Sequence, residues 1–326
     1  IQYVCKVSEE DWFGFFDTLT IAEKRANQES INEQIFKEEE FDFKIFSTAK
    51  PFELNFECLE ETYWQAGQKL IDSIVDIRPQ ILDDLGNNRP IVVEFGQAYW
   101  LDKRHGFTPN VTASHTFSSE IFQSAGIPIS ELSQVGCCKA YDTKVGTHHF
   151  LTHINPDENI LGKKLSEMEF GTSTGRQRMV GWFDAVEKGN ALRYGGFDWL
   201  VINKLDALSS LDADFDDLKI CIAYKNETGE VITNVPRSEK TRKSLIPVYE
   251  ELPVWNEDIS ECKSFDTLPL EAQNYVKKMV QSICKVAYGE NWRTKQLPEL
   301  LYIGVGPNPG QVIDNLPPIS EILDLP

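Results

Sequence analysis

The stretch WLVINKLD, Trp199 to Asp206, sets the fold reading: an apolar run of the buried-strand type, Trp199 to Ile202, passes directly into a polar turn. Four further runs share its character: Ile91 to Phe95, Val135 to Tyr141, Leu218 to Tyr224 and Leu301 to Val305. Between them lie helical patterns, Gly181 to Tyr194 and Leu270 to Val286, the latter with Tyr275, Met279 and Ile283 on one face. Strands alternating with helices predict an α/β fold with a mostly parallel central sheet and flanking helices, whose ligands sit at the carboxyl ends of the strands. The turn Asn203-Lys204-Leu205-Asp206 stands at such an end. An Asn-Lys-x-Asp turn can read a guanine base, since the Asp carboxylate accepts from the ring N1–H and exocyclic amine while the Lys stem packs along the base.

Upstream, Phe56, Leu59, Tyr63, Ala66, Leu70, Ile74 and Ile77 recur every three or four positions, the stripe of an amphipathic helix that ends before Asn87-Asn88. Residues 8 to 50, rich in Glu, Lys and Phe, read as helix or loop. The chain is therefore read as a mainly helical region, 1–88, and an α/β region, 89–326, with ligand expected in the second; one continuous domain is the alternative. Residues 225 to 264, including RSEKTRKS, read as surface loop, and the proline-bearing tail from Asp314 as an irregular strap.

The chain has 326 residues and a formal net charge of -19, with 51 Asp and Glu against 32 Lys and Arg. That balance argues against a nucleic-acid or anionic-membrane partner, both of which demand a basic face. Seven scattered cysteines without a CxxC pair fit free thiols in a reducing compartment. No apolar run is long enough to span a membrane and the first residues lack the order of a secretory signal, so a cytoplasmic location is the expectation.

Against this acidity, FGTSTGRQRMVGWFD, Phe170 to Asp184, offers backbone N–H groups, hydroxyls and the cations Arg176 and Arg178, a loop suited to carboxylates or phosphates. Its GxSxG match to a hydrolase elbow fails, because all five histidines precede Ser173 and that triad needs a later one. Gly304-Val305-Gly306-Pro307-Asn308-Pro309-Gly310 follows a strand but has Pro309 where a dinucleotide fingerprint needs its third glycine, and reads as a structural turn. No P-loop is present: the only Gly-Lys pair, Gly162-Lys163, has Asp157 in place of the motif's first glycine. His148, His149 and His153 read as solvated or hydrogen-bonded histidines rather than a metal site, and Cys137-Cys138 as core.

Taken in order, VVEFGQAYWLDKRHGFTPNVTASHT (92–116), KAYDTKVG (139–146), GTSTGRQRMVGWFDAV (171–186), INKLDALSSLD (202–212), KICIAY (219–224), PVYEELPVWNEDISECKSFDTLP (247–269) and IGVGPNP (303–309) resemble the adenylosuccinate synthetase family over roughly residues 40 to 315. The resemblance implies a P-loop-NTPase-like ligase fold and an enzyme of purine nucleotide synthesis that joins L-aspartate to IMP while GTP becomes GDP and phosphate, with Mg2+. It further implies that Gln97, Thr112, Val145, Gly146 and Arg176 contact IMP, that Ser173, Thr174, Arg176 and Arg178 hold the aspartate, and that Lys204, Asp206, Gly306 and Pro307 bind GTP. A homodimer is implied as well. The family's glycine-rich first loop, with the base that deprotonates IMP, and the histidine that acts on the transferring phosphoryl group are expected upstream of Ile1, so this chain resembles the C-terminal part of such an enzyme, missing the N-terminal strand-loop-helix. His115, Phe117, Ser118, His148-His149, Gln177 and Met179 depart from the family pattern. The alternatives they open are a non-catalytic nucleotide-binding paralogue and a synthetase for another purine monophosphate such as dGMP.

Overall fold

The computed structural model describes residues 56–145, 149–171 and 175–325. The helix-or-loop reading of residues 8 to 50 lies outside them. The chain divides into two units, Ile1–Ile91 and Val92–Pro326.

In the first unit, α1 (Phe56–Leu70) passes into a 3-10 turn, Ile71–Ser73, and α2 spans Arg78–Gly86. The single stripe expected to run on to Ile77 is thus broken. Pro79 occupies the first turn of α2, where its missing N–H costs nothing. Asp76 accepts from the Arg78 backbone N–H at 3.1 Å and holds the new start. The stripe's Tyr63, Leu70 and Ile77 are exposed.

In the second unit, α3 (Glu120–Ala125) is followed by β1 (Val135–Lys139), β2 (Asp142–Lys144), α4 (Ile160–Met168), β3 (Met179–Gly181), β4 (Phe183–Asp184) and α5 (Ala185–Gly195). Next come β5 (Trp199–Asn203), β6 (Asp217–Lys225), β7 (Val231–Ile232), α6 (Glu239–Lys243) and β8 (Ile246–Pro253). The unit closes with α7 (Leu270–Tyr288), β9 (Glu299–Gly304), β10 (Val312–Ile313) and α8 (Ile319–Ile322). The central sheet has the order β1-β5-β9-β10, with β1, β5 and β9 parallel and β10 antiparallel. Cys138 pairs with Ile202, and Ile202 with Ile303, so the carboxyl ends of the three parallel strands lie side by side. A second sheet has the order β4-β6-β7, with β8 also on β6, and β2 pairs with β3. The expected α/β fold with a parallel sheet and flanking helices is what forms.

Leu200, Val201 and Ile202 of β5, Ile303 of β9, and Tyr275, Val276, Met279, Val280 and Ile283 of α7 are buried. Each such side chain contributes about 1.5–3 kcal/mol on leaving water. Helix α5 starts at Ala185, four residues after Gly181, because Asp184 caps it, accepting from the backbone N–H groups of Val186 (2.9 Å) and Glu187 (3.0 Å). Gly189 lets α5 lie against α7: a Cβ there would sit 2.4 Å from the Val286 Cβ and 2.8 Å from the Ile283 carbonyl oxygen. Arg193 of α5 donates to the last carbonyls of α7, to Ala287 at 3.0 Å and to Val286.

Several expectations are corrected. Ile91 to Phe95 forms no strand; Val92 is 94% exposed, and a β-rich run without a neighbouring strand leaves its N–H and C=O groups to water. The 225–264 region holds β7, α6 and β8, because β6 needs antiparallel partners, and Arg242 of the RSEKTRKS segment is buried with its guanidinium 4.2 Å from the Phe107 ring centre. Cys137 is exposed while Cys138 packs on the core, as neighbouring strand residues face opposite ways. The tail buries Ile319, Ile322 and Leu323 through α8 instead of lying over the surface as a strap.

Candidate functional site

The turn after β5 and the loop after β9 meet at the carboxyl edge of the central sheet. The Leu205 N–H donates to the Gly304 carbonyl at 3.0 Å, stitching them together. Lys204 holds a left-handed φ of 59°, a conformation that costs a side-chain-bearing residue about 1–2 kcal/mol. Such strain persists where surrounding contacts over-determine the backbone. Asp206 opens the 3-10 turn Asp206–Leu208, and its Oδ1 is buried without a hydrogen-bond partner. Burial raises the Asp206 carboxyl above its ordinary range, against the pull of nearby N–H groups, Lys204 and Lys164. A buried acceptor without a donor is uncommon in folded proteins and calls for an explanation.

Across from it, Gly306 begins a tight loop. The Gln311 Oε1 accepts from the Asn308 N–H at 3.0 Å and the Val305 N–H bonds the Gln311 carbonyl at 2.9 Å, while a Cβ on Gly306 would lie 2.4 Å from that Oε1. Pro307 is next to it. Lys204, Asp206, Gly306 and Pro307 are therefore brought to one edge by two adjacent strands.

The Arg176 and Arg178 loop is a hairpin. Phe170 bridges Gln177, the Gly171 N–H donates to the Arg176 carbonyl at 2.7 Å, and the Gly175 N–H to the Gly171 carbonyl at 2.8 Å. Arg176 is exposed and Arg178 is half-buried. Ser173 and Thr174 lie outside the described residues, as does Gly146.

The residue that ties this hairpin to the β5 turn is Glu169, which sequence reasoning missed. Its Oε1 accepts from Lys139 Nζ (2.8 Å), Tyr141 OH (2.7 Å) and Lys204 Nζ (2.9 Å), and its Oε2 from Arg178 Nη1 (2.9 Å). Its backbone carbonyl accepts from the Arg178 N–H at 2.9 Å. Burial alone would raise this carboxyl, but the hydrogen bonds from Lys139, Lys204 and Tyr141 outweigh it and hold it down at about 2. A lone glutamate carries no spacing signal, which is why nothing in the sequence singled it out.

Gln97 and Thr112 form another group. Ser114 Oγ donates to Gln97 Oε1 at 2.7 Å and lies 3.0 Å from Thr112 Oγ1. Beneath them the fully buried Asp102 accepts from the backbone N–H groups of Arg104, His105 and Thr116, each at 2.8 Å, and lies 3.3 Å from His115 Nδ1. These bonds hold the Asp102 carboxyl below its ordinary value in spite of burial. Val145, at the end of β2, is 49% exposed. Below β2 a charge cluster fills the interior: Lys144 bonds Glu187 at 3.0 Å, Lys188 bonds Asp142, and Asp184 accepts from Tyr224 OH at 2.7 Å. Burial and the neighbouring Glu187 charge raise the Asp184 carboxyl.

Among the described residues no group of three or more His, Cys, Asp or Glu side chains could hold a metal ion, and no helix is long and apolar enough to cross a membrane. The Mg2+ implied by resemblance thus finds no oxygen-rich ligand set among these residues.

A family model described as adenylosuccinate synthetase matches residues 19–288. Adenylosuccinate synthetase of Lactococcus lactis subsp. cremoris is 38% identical over 229 residues, covering 69% of this chain and 52% of the relative. That of Lactobacillus acidophilus is 36% identical over 283 residues, covering 86% and 60%. Among solved structures, fully ligated adenylosuccinate synthetase from Plasmodium falciparum matches with a TM-score of 0.70 and 33% identity, over 81% of this chain and 59% of that one. The chain spans between about half and three-fifths of the length of these relatives.

Proposed function

The chain belongs to the adenylosuccinate synthetase family, and on that premise we propose that it forms the guanine-reading and aspartate-holding part of a ligase of purine nucleotide synthesis. The reaction joins the amine of L-aspartate to the purine C6 of IMP while GTP becomes GDP and phosphate. The observation that carries this reading is the orphaned Asp206 Oδ1 beside Lys204, at the carboxyl edge of a parallel sheet. A guanine N1–H and exocyclic amine supply the donors that this buried acceptor lacks, whereas adenine presents no N1–H donor.

Lys204 lies along the base in this reading, and the Gly306-Pro307 loop closes over it. Arg178, with Arg176, Ser173 and Thr174, grips the aspartate carboxylates; Arg178 commits one N–H group to Glu169 and has others left to donate. Gln97 and Thr112, held by Ser114 and the loop gathered on Asp102, orient the purine monophosphate, with Val145, Gly146 and Arg176 beside its ribose. These are positioning and charge-stabilising roles, the kind on which phosphoryl transfer depends. Mg2+ would supply charge neutralisation on the phosphates, and none of the side chains described above is assigned to it. We also propose the division at residues 88 and 89, a homodimer and a cytoplasmic location.

Titration calorimetry of the 326-residue chain with GTP, ATP, IMP and L-aspartate tests the reading. GTP is expected to bind at least tenfold more tightly than ATP, the scale of one charge-assisted hydrogen bond. Equal binding of the two would overturn base reading at Asp206.

A further inference from the structure

We propose that Glu169 is a positioning residue that joins the 170–178 hairpin and the 203–206 turn into one unit, so that ligand bound at either loop strengthens binding at the other. The proposal rests on the ligand assignment above only for the identity of the two guests. The joining itself stands on geometry.

A carboxylate offers about four lone-pair sites. Glu169 draws four donors from three parts of the chain: Lys139 and Tyr141 from the end of β1 and Lys204 from the turn after β5 share Oε1, and Arg178 from the hairpin takes Oε2. The Glu169 side chain is 1% exposed while those of Arg178 and Lys204 are 30% and 43% exposed, so a donor that leaves can turn to water but the buried carboxylate must make up the loss from its remaining donors. Displacing Arg178 therefore leaves an acceptor that Lys204 and Lys139 must re-share, and displacing Lys204 does the same to Arg178. The Arg178 backbone N–H on the Glu169 carbonyl makes the hairpin's own closure part of the same arrangement.

Three cations surround one anion, which leaves the group with a net positive charge. An anionic guest at Arg178 relieves the repulsion among Lys139, Lys204 and Arg178. The second guest then meets a turn already ordered, which gives positive coupling without a large structural change. By reciprocity each ligand must change the other's affinity by the same factor. The left-handed Lys204 makes the turn responsive, because a strained backbone keeps its shape only while its contacts hold.

Two measurements test this on the full 326-residue chain. In calorimetry, saturating L-aspartate is expected to tighten GDP binding about fivefold or more, with the reciprocal effect of GDP on L-aspartate. In Glu169→Gln, which keeps the shape but removes the charge, each ligand should still bind while the coupling falls below about twofold. Coupling that persists in Glu169→Gln, or is missing in the wild type when both ligands bind, overturns the proposal and leaves the ligand assignment standing.

The second measurement needs no ligand. Arg178→Met is expected to speed amide exchange at Leu205 several-fold, and Lys204→Met to speed it at Gly171 and Arg178. Neither transmission should occur in the Glu169→Gln background, whereas a residue that merely stabilised the fold would leave both in place. If neither ligand binds the wild type, the ligand assignment fails and the exchange data still decide the joining. If Glu169→Gln does not fold, the two single variants carry the test, and an unchanged far loop in either overturns the proposal.

Discussion

Replacing Asp206 by Asn should have opposite effects on binding and on stability. The change is nearly isosteric, so packing is preserved, but the second acceptor becomes an NH2 donor. In the ligand-free chain Oδ1 is a buried acceptor without a partner, and burial raises the carboxyl above its ordinary value. Removing that desolvated charge should raise the ligand-free melting temperature at neutral pH. Guanine binding should weaken, because two donors that met one carboxylate now face one acceptor and one donor. Loss of a hydrogen bond to a charged group costs about 1.5–3 kcal/mol, which is about 10- to 150-fold in affinity at about 1.4 kcal/mol per factor of ten. Xanthosine triphosphate, with a carbonyl in place of the exocyclic amine, offers the new NH2 group an acceptor, and its binding should improve in the variant. Calorimetry with the two triphosphates and a melting curve read all three effects. A variant that keeps its preference for GTP, or that melts lower without ligand, would refute the assignment of Oδ1 as the waiting acceptor.

Arg178→Leu should weaken L-aspartate by a similar factor, about 10- to 150-fold, read by competition calorimetry; an unchanged affinity removes Arg178 from the aspartate site. Gly189→Ala gains up to about 1 kcal/mol of helix propensity but forces a Cβ against the Ile283 backbone, with overpacking costs of about 1–3 kcal/mol. A net loss of stability in urea denaturation is expected, and a gain would show that α5 and α7 can separate freely. Asp184→Asn tests the buried cluster through pH. The folded carboxyl is raised, so its contribution to stability is full below the ordinary carboxylate range and is lost as pH rises through and above it. Stability of the Asn variant relative to wild type should therefore grow from about pH 4 to pH 7, and a flat difference would show that Asp184 is not held protonated.

The parts of the fold that could be read ahead were those whose burial is written into adjacent residues. Trp199 to Ile202 is a continuous apolar run, Leu218 to Tyr224 is one broken only by Lys219, and α7 repeats its core face at Tyr275, Met279 and Ile283. Ile91 to Phe95 has the same composition and forms no strand, since a run of this kind says nothing about whether a neighbouring strand exists. Strand β8 escaped because Pro247, Glu250 and Glu251 dilute its pattern, and its place is decided by pairing with β6 in the second sheet. The placement of Lys204 and Asp206 at a strand end was legible in a local motif, and the cations Arg176 and Arg178 in a loop of small residues, whereas Gly306 read from its own motif only as a structural turn. Glu169, Asp102, Ser114 and the buried Arg242 were not, because their meaning lies in contacts with residues distant in sequence.

The left-handed backbone at Lys204 narrows what this position can become. Glycine relaxes the turn but removes the ammonium group 2.9 Å from Glu169, and asparagine tolerates the turn without reaching it. Arginine keeps a charge but puts a wide planar fork where a compact donor now shares one carboxylate oxygen with Lys139 and Tyr141. No single substitution preserves both the turn and the contact, so the position has little room for neutral drift. In a library of random variants screened for nucleotide binding, lysine at 204 should be recovered almost unchanged while neighbouring surface positions diversify.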